Sequence, residues 1–327
     1  MESSPTHVAA DRVTPVASEP WRSLYPYRGS RLAIGPWSYH YVDSDVEYPQ
    51  SVPAAETDDD SRPVILCVHG NPTWSFYWRR VVERFHTTHR VIAVDHIGCG
   101  LSDQPSRRDF DYSLVNHRDH LLTLIDRLDL RRIVLLAHDW GGAIGLSAVV
   151  ERVDRLAGVV LLNTAAFPPP FIPWRIAVCR TPLVGTAAIR GLNLFAAAAI
   201  SMAMAEQKLP ADVASGLLFP YRDWRSRVAI DSFVRDIPLT RRHPTYAVLR
   251  RLESDLSRLA TVPKSLVWGM KDWCFRPECL DRLLSHWPDA TVQRLEQTGH
   301  YVIEDAPEAT LVAIAELLGR VDRAADR

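Results

Sequence analysis

The sequence predicts an α/β protein with a mostly parallel, eight-stranded sheet covered by helices on both faces. Short apolar, β-rich runs alternate with segments of helical spacing along most of the chain. This alternation is typical of parallel strands joined by helical crossovers. It is interrupted once, between two groups of strands, by a long segment that has helical patterns but no strand signal. We therefore expect a sheet in two parts with an inserted helical segment.

The individual elements follow from the periodicity of apolar residues. Residues 30–43 alternate apolar and polar positions, which predicts a pair of strands. Further β-rich runs occupy residues 64–68, 91–95, 133–136, 159–162, 265–268 and 291–295. Helical spacing occupies residues 114–128, 277–286 and 307–318.

These elements divide the chain into four parts. We expect a flexible N-terminal tail at residues 1–27, the first part of the core at 28–164, a helical cap at 165–245, and the second part of the core at 246–327. The acidic, apolar-poor stretch 51–62 predicts a solvated loop. Residues 192–205 are the most apolar piece of the cap and are too short to span a bilayer. We interpret them as a buried cap helix, with a lipid- or partner-facing surface as the alternative.

Bulk composition implies no general electrostatic attraction to a charged partner. The 327 residues include 38 Lys and Arg against 39 Asp and Glu, so neither nucleic acid nor an anionic membrane attracts the chain through net charge. The first twenty residues lack a signal-peptide pattern, and we expect a cytoplasmic protein without a transmembrane segment. The five cysteines are odd in number and lack zinc spacing, which indicates free thiols. Cys274 and Cys279 can pair only if local geometry allows it.

The most informative run is AHDWGG at residues 137–142. It follows an apolar strand and precedes a helical pattern, so it overlays the strand, sharp turn and helix of a G-x-S-x-G nucleophile elbow. Asp139 occupies the serine position. A carboxylate is ionised near neutral pH and can attack a saturated carbon to leave an alkyl ester, which water can later open. A serine would leave an ether, so the aspartate predicts displacement at an alkyl carbon.

Two neutral donors are expected beside this aspartate. The run HGNPTW at residues 69–74 follows the strand at 64–68 and contains Asn71, whose side-chain amide has two N–H groups. Trp140 follows the nucleophile and contributes an indole N–H. Together they suit a leaving anion such as a halide or a carboxylate. The alternative is that Asn71 forms the turn and Trp140 only packs.

Two further residues complete a catalytic set. Asp272 closes the strand run in WGMKD, and His300 follows the last strand in TGH. The chain order of nucleophile, acid and histidine is that of α/β-hydrolases. We expect His300 to deprotonate a water that attacks the ester, and Asp272 to fix the tautomer of His300.

Neither a cofactor nor a metal is expected. The run DHIGCGLSD at residues 95–103 lacks G-x-G-x-x-G spacing and predicts a tight turn rather than a dinucleotide loop. The arginines at 222–227 and 241–242 are interpreted as a solvated face of the cap. A binding protein with the same fold is the alternative to an enzyme, but Asp139, Asp272 and His300 together favour the enzyme.

In combination, HGNPTW, DHIGCGLSD, HDWGG, WGMKD and TGH resemble the haloalkane dehalogenases, which are α/β-hydrolases with an inserted helical cap. The likeness covers residues 30–318. Epoxide hydrolases share HDWGG but typically use a pair of cap tyrosines, and the surroundings of Tyr221 and Tyr246 do not match that pattern. Fluoroacetate dehalogenases place arginine where this chain has Trp140.

The resemblance extends to one subfamily and to a neighbouring group. One dehalogenase branch takes its acid from the strand before the cap, where this chain has Asn163, so the acid should be Asp272. That arrangement resembles the third dehalogenase subfamily. The cap segment 163–182 also resembles the β-lactone decarboxylases of bacterial long-chain olefin synthesis. The resemblance implies a dehalogenase-like hydrolase acting on a small apolar haloalkane, with decarboxylation of a β-lactone as the alternative. It leaves open a homo-oligomer or an association with other olefin-synthesis enzymes.

Overall fold

A computed structural model describes residues 19–50 and 62–325 of the chain. Its eight strands form one sheet in the order β1-β2-β4-β3-β5-β6-β7-β8, and only the pairs β1–β2 and β2–β4 are antiparallel. This confirms the predicted fold class. The strands are β1 (Ser30–Ile34), β2 (Trp37–Asp43), β3 (Val64–Val68), β4 (Arg90–Val94), β5 (Ile133–Asp139), β6 (Leu156–Thr164), β7 (Lys264–Gly269) and β8 (Thr291–Leu295).

Helices pack on both faces of this sheet. The α-helices of the described chain are α1 (Ser44–Glu47), α2 (Arg79–Phe85), α3 (Leu114–Arg127), α4 (Trp140–Val149), α5 (Trp174–Cys179), α6 (Val184–Thr186), α7 (Leu194–Met202), α8 (Ala211–Leu218), α9 (Val228–Asp236), α10 (Pro244–Asp255), α11 (Pro277–His286), α12 (Val302–Asp305) and α13 (Pro307–Ala325). Short 3₁₀ turns occupy Pro20–Leu24, Ser75–Trp78, Val150–Arg155 and Leu256–Leu259, and Ala187–Gly191 forms a π-helical turn.

The register of the central strands decides where the site lies. Strands β3 and β5 consist wholly of buried residues, as expected for strands covered on both faces. Val68 pairs with Ala137 in parallel register, so β3 and β5 end at the same edge of the sheet. Leu162 of β6 pairs with Val267 of β7, which brings the end of β7 to that edge too. The turns after these strands therefore converge.

The N-terminal tail prediction is wrong for residues 19–27. Trp21 is completely buried and meets the ring of Trp74 edge-on, with 5.7 Å between the centroids. The hydroxyl of Tyr25 lies 2.6 Å from that of Ser75. These aromatic residues are interspersed with polar residues, so the polar character of the segment as a whole did not predict their burial. Residues 1–18 and all of the predicted acidic loop except Arg62 lie outside the described residues.

The interpretation of residues 192–205 as a buried helix is also wrong. Within α7 only Ala196 is buried, whereas Leu194 is 52% exposed and the preceding Leu192 is 70% exposed. The helix covers a cavity with one side and leaves its other side to solvent. An apolar composition on all sides predicts burial on all sides, and α7 departs from that rule.

The five cysteines all fall within the described residues and are free thiols, as predicted; Cys274 and Cys279 do not pair. In the described part of the chain, no single helix is long and apolar enough to cross a membrane.

Candidate active site

Asp139 occupies a strained turn at the end of β5. Its backbone has φ 54° and ψ −129°, a combination that non-glycine residues rarely adopt, and α4 begins at the next residue. The turn is tight because α4 starts against β3: a Cβ atom on Gly141 would lie 2.1 Å from the carbonyl oxygen of Val68. This is the predicted elbow, and it presents the carboxylate at the sheet edge.

Two backbone N–H groups hold the Asp139 carboxylate. The N–H of Asn71 donates to Oδ1 over 2.8 Å, and the N–H of Trp140 also donates to the carboxylate. The turn after β3 comes so close that a Cβ atom on Gly70 would lie 2.2 Å from Oδ1. Burial raises the pKa of Asp139, while the charge of His300 and the two N–H groups oppose that rise. The result is a poorly solvated carboxylate whose orientation is held by two backbone donors.

His300 connects this carboxylate to Asp272. Its Nδ1 lies 2.8 Å from Oδ2 of Asp272, and its Nε2 lies 3.7 Å from Oδ2 of Asp139. The ring of Phe275 stacks against the imidazole with 5.7 Å between centroids. The distance from Nε2 to Asp139 is beyond a hydrogen bond, so Nε2 is left to act on a water near the carboxyl carbon. The structure brings together the three residues predicted as catalytic.

The charge state of His300 depends on its two carboxylate neighbours. Burial alone would lower the pKa of His300, but the charge and hydrogen bond of Asp272, together with the charge of Asp139, raise it above the ordinary value. Converting Asp139 into a neutral ester removes one of the raising charges. The pKa of His300 should then fall, so the imidazole becomes available as a base when the ester forms.

Asn163 is a site residue whose role the sequence analysis missed. Its Nδ2 donates to Oδ2 of Asp272 over 3.0 Å and to the carbonyl of Gly269 over 3.0 Å, while its Oδ1 accepts from the N–H of Gly269 over 2.7 Å. The N–H of Cys274 donates to the other oxygen of Asp272 over 2.6 Å. Asn163 therefore holds the acid at the end of the neighbouring strand. The available signal was an asparagine at a strand end beside the acid-bearing strand.

Asp305 is a second residue that the sequence did not indicate. This buried carboxylate accepts from the N–H of Gly299 over 2.7 Å and from the N–H of Ala205 over 2.8 Å. The N–H of Tyr301 also donates to the carbonyl of Ala203 over 2.9 Å. The loop that carries His300 is thus tied to the segment after α7, which fixes the histidine relative to the cap.

A cavity of about 500 Å³ separates the sheet edge from the cap. Asp139, His300, Asn71 and Trp140 line its floor, and most of its remaining wall is apolar, including Phe171, Ile172, Leu194, Ala198 and Met202. Its size and lining suit a small apolar ligand with one polar group at the floor.

The two predicted donors both reach this cavity. The side-chain Nδ2 of Asn71 donates to the carbonyl of Ile230 over 3.3 Å. This bond uses one of the two N–H groups on Nδ2 and not the other. Trp140 is half-buried, with its ring 5.6 Å from that of Phe233. Tyr221 and Tyr246 contribute nothing here, since neither is among the described residues that line the cavity.

Comparisons with known proteins agree with this geometry. A family model described as the alpha/beta hydrolase fold matches residues 63–180. The chain is 35% identical over 300 residues to the cis-3-alkyl-4-alkyloxetan-2-one decarboxylase of Shewanella oneidensis, covering 90% of each chain. The chain belongs to the α/β-hydrolase family that comprises these decarboxylases and the haloalkane dehalogenases.

The dehalogenase side of the family is equally well covered. Haloalkane dehalogenase 2 of Mycobacterium tuberculosis is 32% identical over 305 residues, which is 90% of this chain and 96% of that protein. The solved structure of the haloalkane dehalogenase DpaA from Paraglaciecola agarilytica matches with a TM-score of 0.71 at 26% identity, covering 89% of this chain and 93% of that one. The chain is therefore an enzyme of this fold, as predicted, and its relatives act on the two substrate classes that the sequence indicated.

Proposed function

We propose that this enzyme displaces a leaving anion from an alkyl carbon and forms a covalent alkyl ester on Asp139. The observation that carries the proposal is the position of the Asp139 carboxylate, at the elbow and 3.7 Å from Nε2 of His300. The N–H of Asn71 orients Oδ1, and Oδ2 is the oxygen that faces His300. The second N–H of Asn71 and the indole N–H of Trp140 receive the departing anion.

The substrate class that we favour is a cis-β-lactone carrying two alkyl chains. It is supported by the 35% identity to two decarboxylases, from Shewanella oneidensis and Xanthomonas campestris, and by the apolar cavity. Asp139 attacks the ring carbon that bears oxygen, the ring C–O bond breaks, and a free carboxylate forms. That carboxylate then leaves as carbon dioxide: its C–C bond supplies the electrons of the new double bond, and the bond to Asp139 breaks.

A haloalkane is the second candidate. The lactone route consumes neither water nor a base, so it gives no task to His300 as a general base. His300 and Asp272 nevertheless form a hydrogen bond of 2.8 Å. Such a pair is what hydrolysis of an alkyl-aspartyl ester requires, since water must be deprotonated to attack its carbonyl.

Product analysis separates the two candidates. The enzyme is incubated with a cis-3,4-dialkyl β-lactone and, separately, with a 1-haloalkane of similar chain length. Equal amounts of olefin and carbon dioxide support the lactone, and equal amounts of halide and alcohol support the haloalkane. A β-hydroxy acid that retains the configuration of the oxygen-bearing ring carbon would indicate attack at the lactone carbonyl and would contradict displacement at the alkyl carbon, as would failure to convert either substrate.

Asn71→Ala and Trp140→Phe should each slow departure of the leaving anion by about 10²–10³-fold, because each removes one donor to the developing charge. The double variant should lose less than the product of the two effects, since both donors hold the same anion. Rapid-quench measurement of halide or olefin release tests this. Trp224→Phe, at an exposed cap tryptophan, is the matched control. Unchanged release in both single variants would show that these donors are only structural.

Asp272→Asn should slow ester hydrolysis by at least about 10²-fold, because the imidazole loses its orienting partner. It should also move the pH dependence of that step. Asp272 is the strongest influence that raises the pKa of His300, so the neutral imidazole should appear at lower pH in the variant. The measurement is the single-turnover hydrolysis rate against pH with a haloalkane. Asp281→Asn, at an exposed residue of α11, serves as the control; an unshifted pH profile in Asp272→Asn would contradict the assigned role.

A further inference from the structure

The outer surface of the cap exposes a group of large apolar side chains, which we call the cap patch. Its members are 52–85% exposed: Trp174, Val178, Leu183, Val184, Leu192 and Leu194. Only four other large apolar residues of the described chain are exposed to a similar degree: Val46, Trp224, Leu239 and Val312. Between residues 174 and 201 the exposed residues are apolar except for Arg175, Thr181 and Ser201. Apolar exposure is thus concentrated in one part of the chain.

The helices that carry the patch pack together. Ile176, Ile189 and Ala196, from α5, the π-helical turn and α7, share one small buried cluster. Gly185 at α6 packs directly on the end of α5, since a Cβ atom there would lie 2.1 Å from the carbonyl of Cys179. Because the inward residues of these segments meet in one cluster, their outward residues form one surface.

This surface is continuous with the active-site cavity. Trp174, Val178 and Leu194 belong to the exposed patch and also line the cavity. The patch therefore includes part of the rim through which an apolar molecule would reach Asp139.

The exposed charge of the segment that carries the patch is an arginine. Residues 165–205 contain Arg175, Arg180 and Arg190 and no aspartate or glutamate; Arg180 and Arg190 are half-buried and donate to backbone carbonyls, which leaves Arg175 exposed. Arg175 is exposed at the rim, with its guanidinium 5.4 Å from the ring of Trp174 and 5.3 Å from that of Trp273. Tryptophan and arginine beside an aliphatic surface are typical of proteins that lie at the interface of an anionic bilayer.

We propose that the cap patch docks on the surface of an anionic phospholipid bilayer, so that an apolar substrate enters the cavity directly from the lipid. The proposal rests on the proposed function for the apolar nature of that substrate. The bent pair Val184–Gly191 and Leu194–Met202 has the length and composition of a membrane segment but turns by 73°, which suits a surface-lying element. A second copy of the chain suits the patch less well, because residues 165–205 offer the exposed Arg175 no acidic partner across a two-fold contact.

Vesicle flotation tests the docking. Wild-type protein should float with vesicles of phosphatidylcholine containing about one third phosphatidylglycerol and bind pure phosphatidylcholine less tightly. Leu183→Asp/Leu192→Asp should weaken binding at least about tenfold, since two side chains leave the lipid and two like charges face it. Arg175→Ala should weaken binding to the anionic vesicles alone. Val46→Asp/Val312→Asp, at residues of similar exposure outside the cap, is the matched control and should bind like wild type.

Activity assays separate this proposal from the proposed function. Neither Leu183 nor Leu192 lines the cavity, so the double variant should keep wild-type kcat/KM on a short-chain, water-dissolved substrate and lose turnover of a long-chain substrate embedded in vesicles. Vesicle binding needs no turnover, so inactivity of the wild type towards every substrate would refute only the proposed function. Absence of wild-type binding, or equal binding by the double variant, would overturn docking. So would a size-exclusion measurement showing an oligomer that the same double variant dissociates.

Discussion

Asp139→Ala should abolish turnover of every substrate, by more than about 10⁴-fold, while leaving the fold intact. Without Asp139 the site has no nucleophile, because Asn71, Trp140 and His300 can only assist a reaction in which Asp139 forms the covalent bond. The fold should persist because Asp139 lies at the tip of an elbow rather than within the packed core. Burial disfavours its charged form, as the raised pKa shows, so removing the carboxylate relieves an unfavourable charge.

The measurement pairs activity with thermal unfolding. We expect the Tm of Asp139→Ala to stay within about 5 °C of wild type, since two lost backbone hydrogen bonds are offset by the relief of the buried charge. Asp129→Ala is a matched control: Asp129 also has a positive φ, of 44°, but is exposed and precedes the opposite end of β5. Retained activity in correctly folded Asp139→Ala would eliminate the covalent route.

The sheet and the convergence of the site were predictable from sequence because both depend on local signals. Strands buried on both faces are continuous apolar runs, and β3, β8 and α11 have the predicted bounds. Parallel strands end at one edge, so placing Asp139 and Asp272 after two such strands was enough to bring them together. Chain order predicted that Asp272 would pair with His300, and the two lie 2.8 Å apart.

The remaining features depend on contacts between distant segments. Asn163 contacts Asp272 only because β6 lies beside β7, and Asp305 ties the loop of His300 to the cap through three-dimensional proximity. Burial of Trp21 against Trp74 likewise joins segments far apart in sequence. The exposure of Leu192 follows from the position of α7 over a cavity, which hydropathy cannot distinguish from burial in the core.

His300→Ala should accumulate an alkyl ester on Asp139 when the substrate is a haloalkane. Displacement by a preformed carboxylate does not need the imidazole, whereas hydrolysis of the ester does, and its rate should fall by at least about 10³-fold. The positive charge of His300 opposes the rise in the pKa of Asp139, so its removal should raise that pKa further. The loss of first-step rate on acidification should therefore occur at higher pH in the variant than in wild type. The burst of halide release should be measured at mildly alkaline pH for this reason.

Mass spectrometry of the denatured protein should then show the peptide containing Asp139 heavier by one alkyl group, after one burst of halide release. His286→Ala, at a half-buried surface histidine beside Glu253, is the control and should turn over normally. A β-lactone should behave differently, because its intermediate can lose carbon dioxide without a base and regenerate Asp139. Sustained olefin formation by His300→Ala, with no lasting adduct, would support the lactone as substrate. If neither substrate labels Asp139 or yields olefin in this variant while wild type converts at least one, His300 acts in the first step, and the division of roles between Asp139 and His300 is wrong.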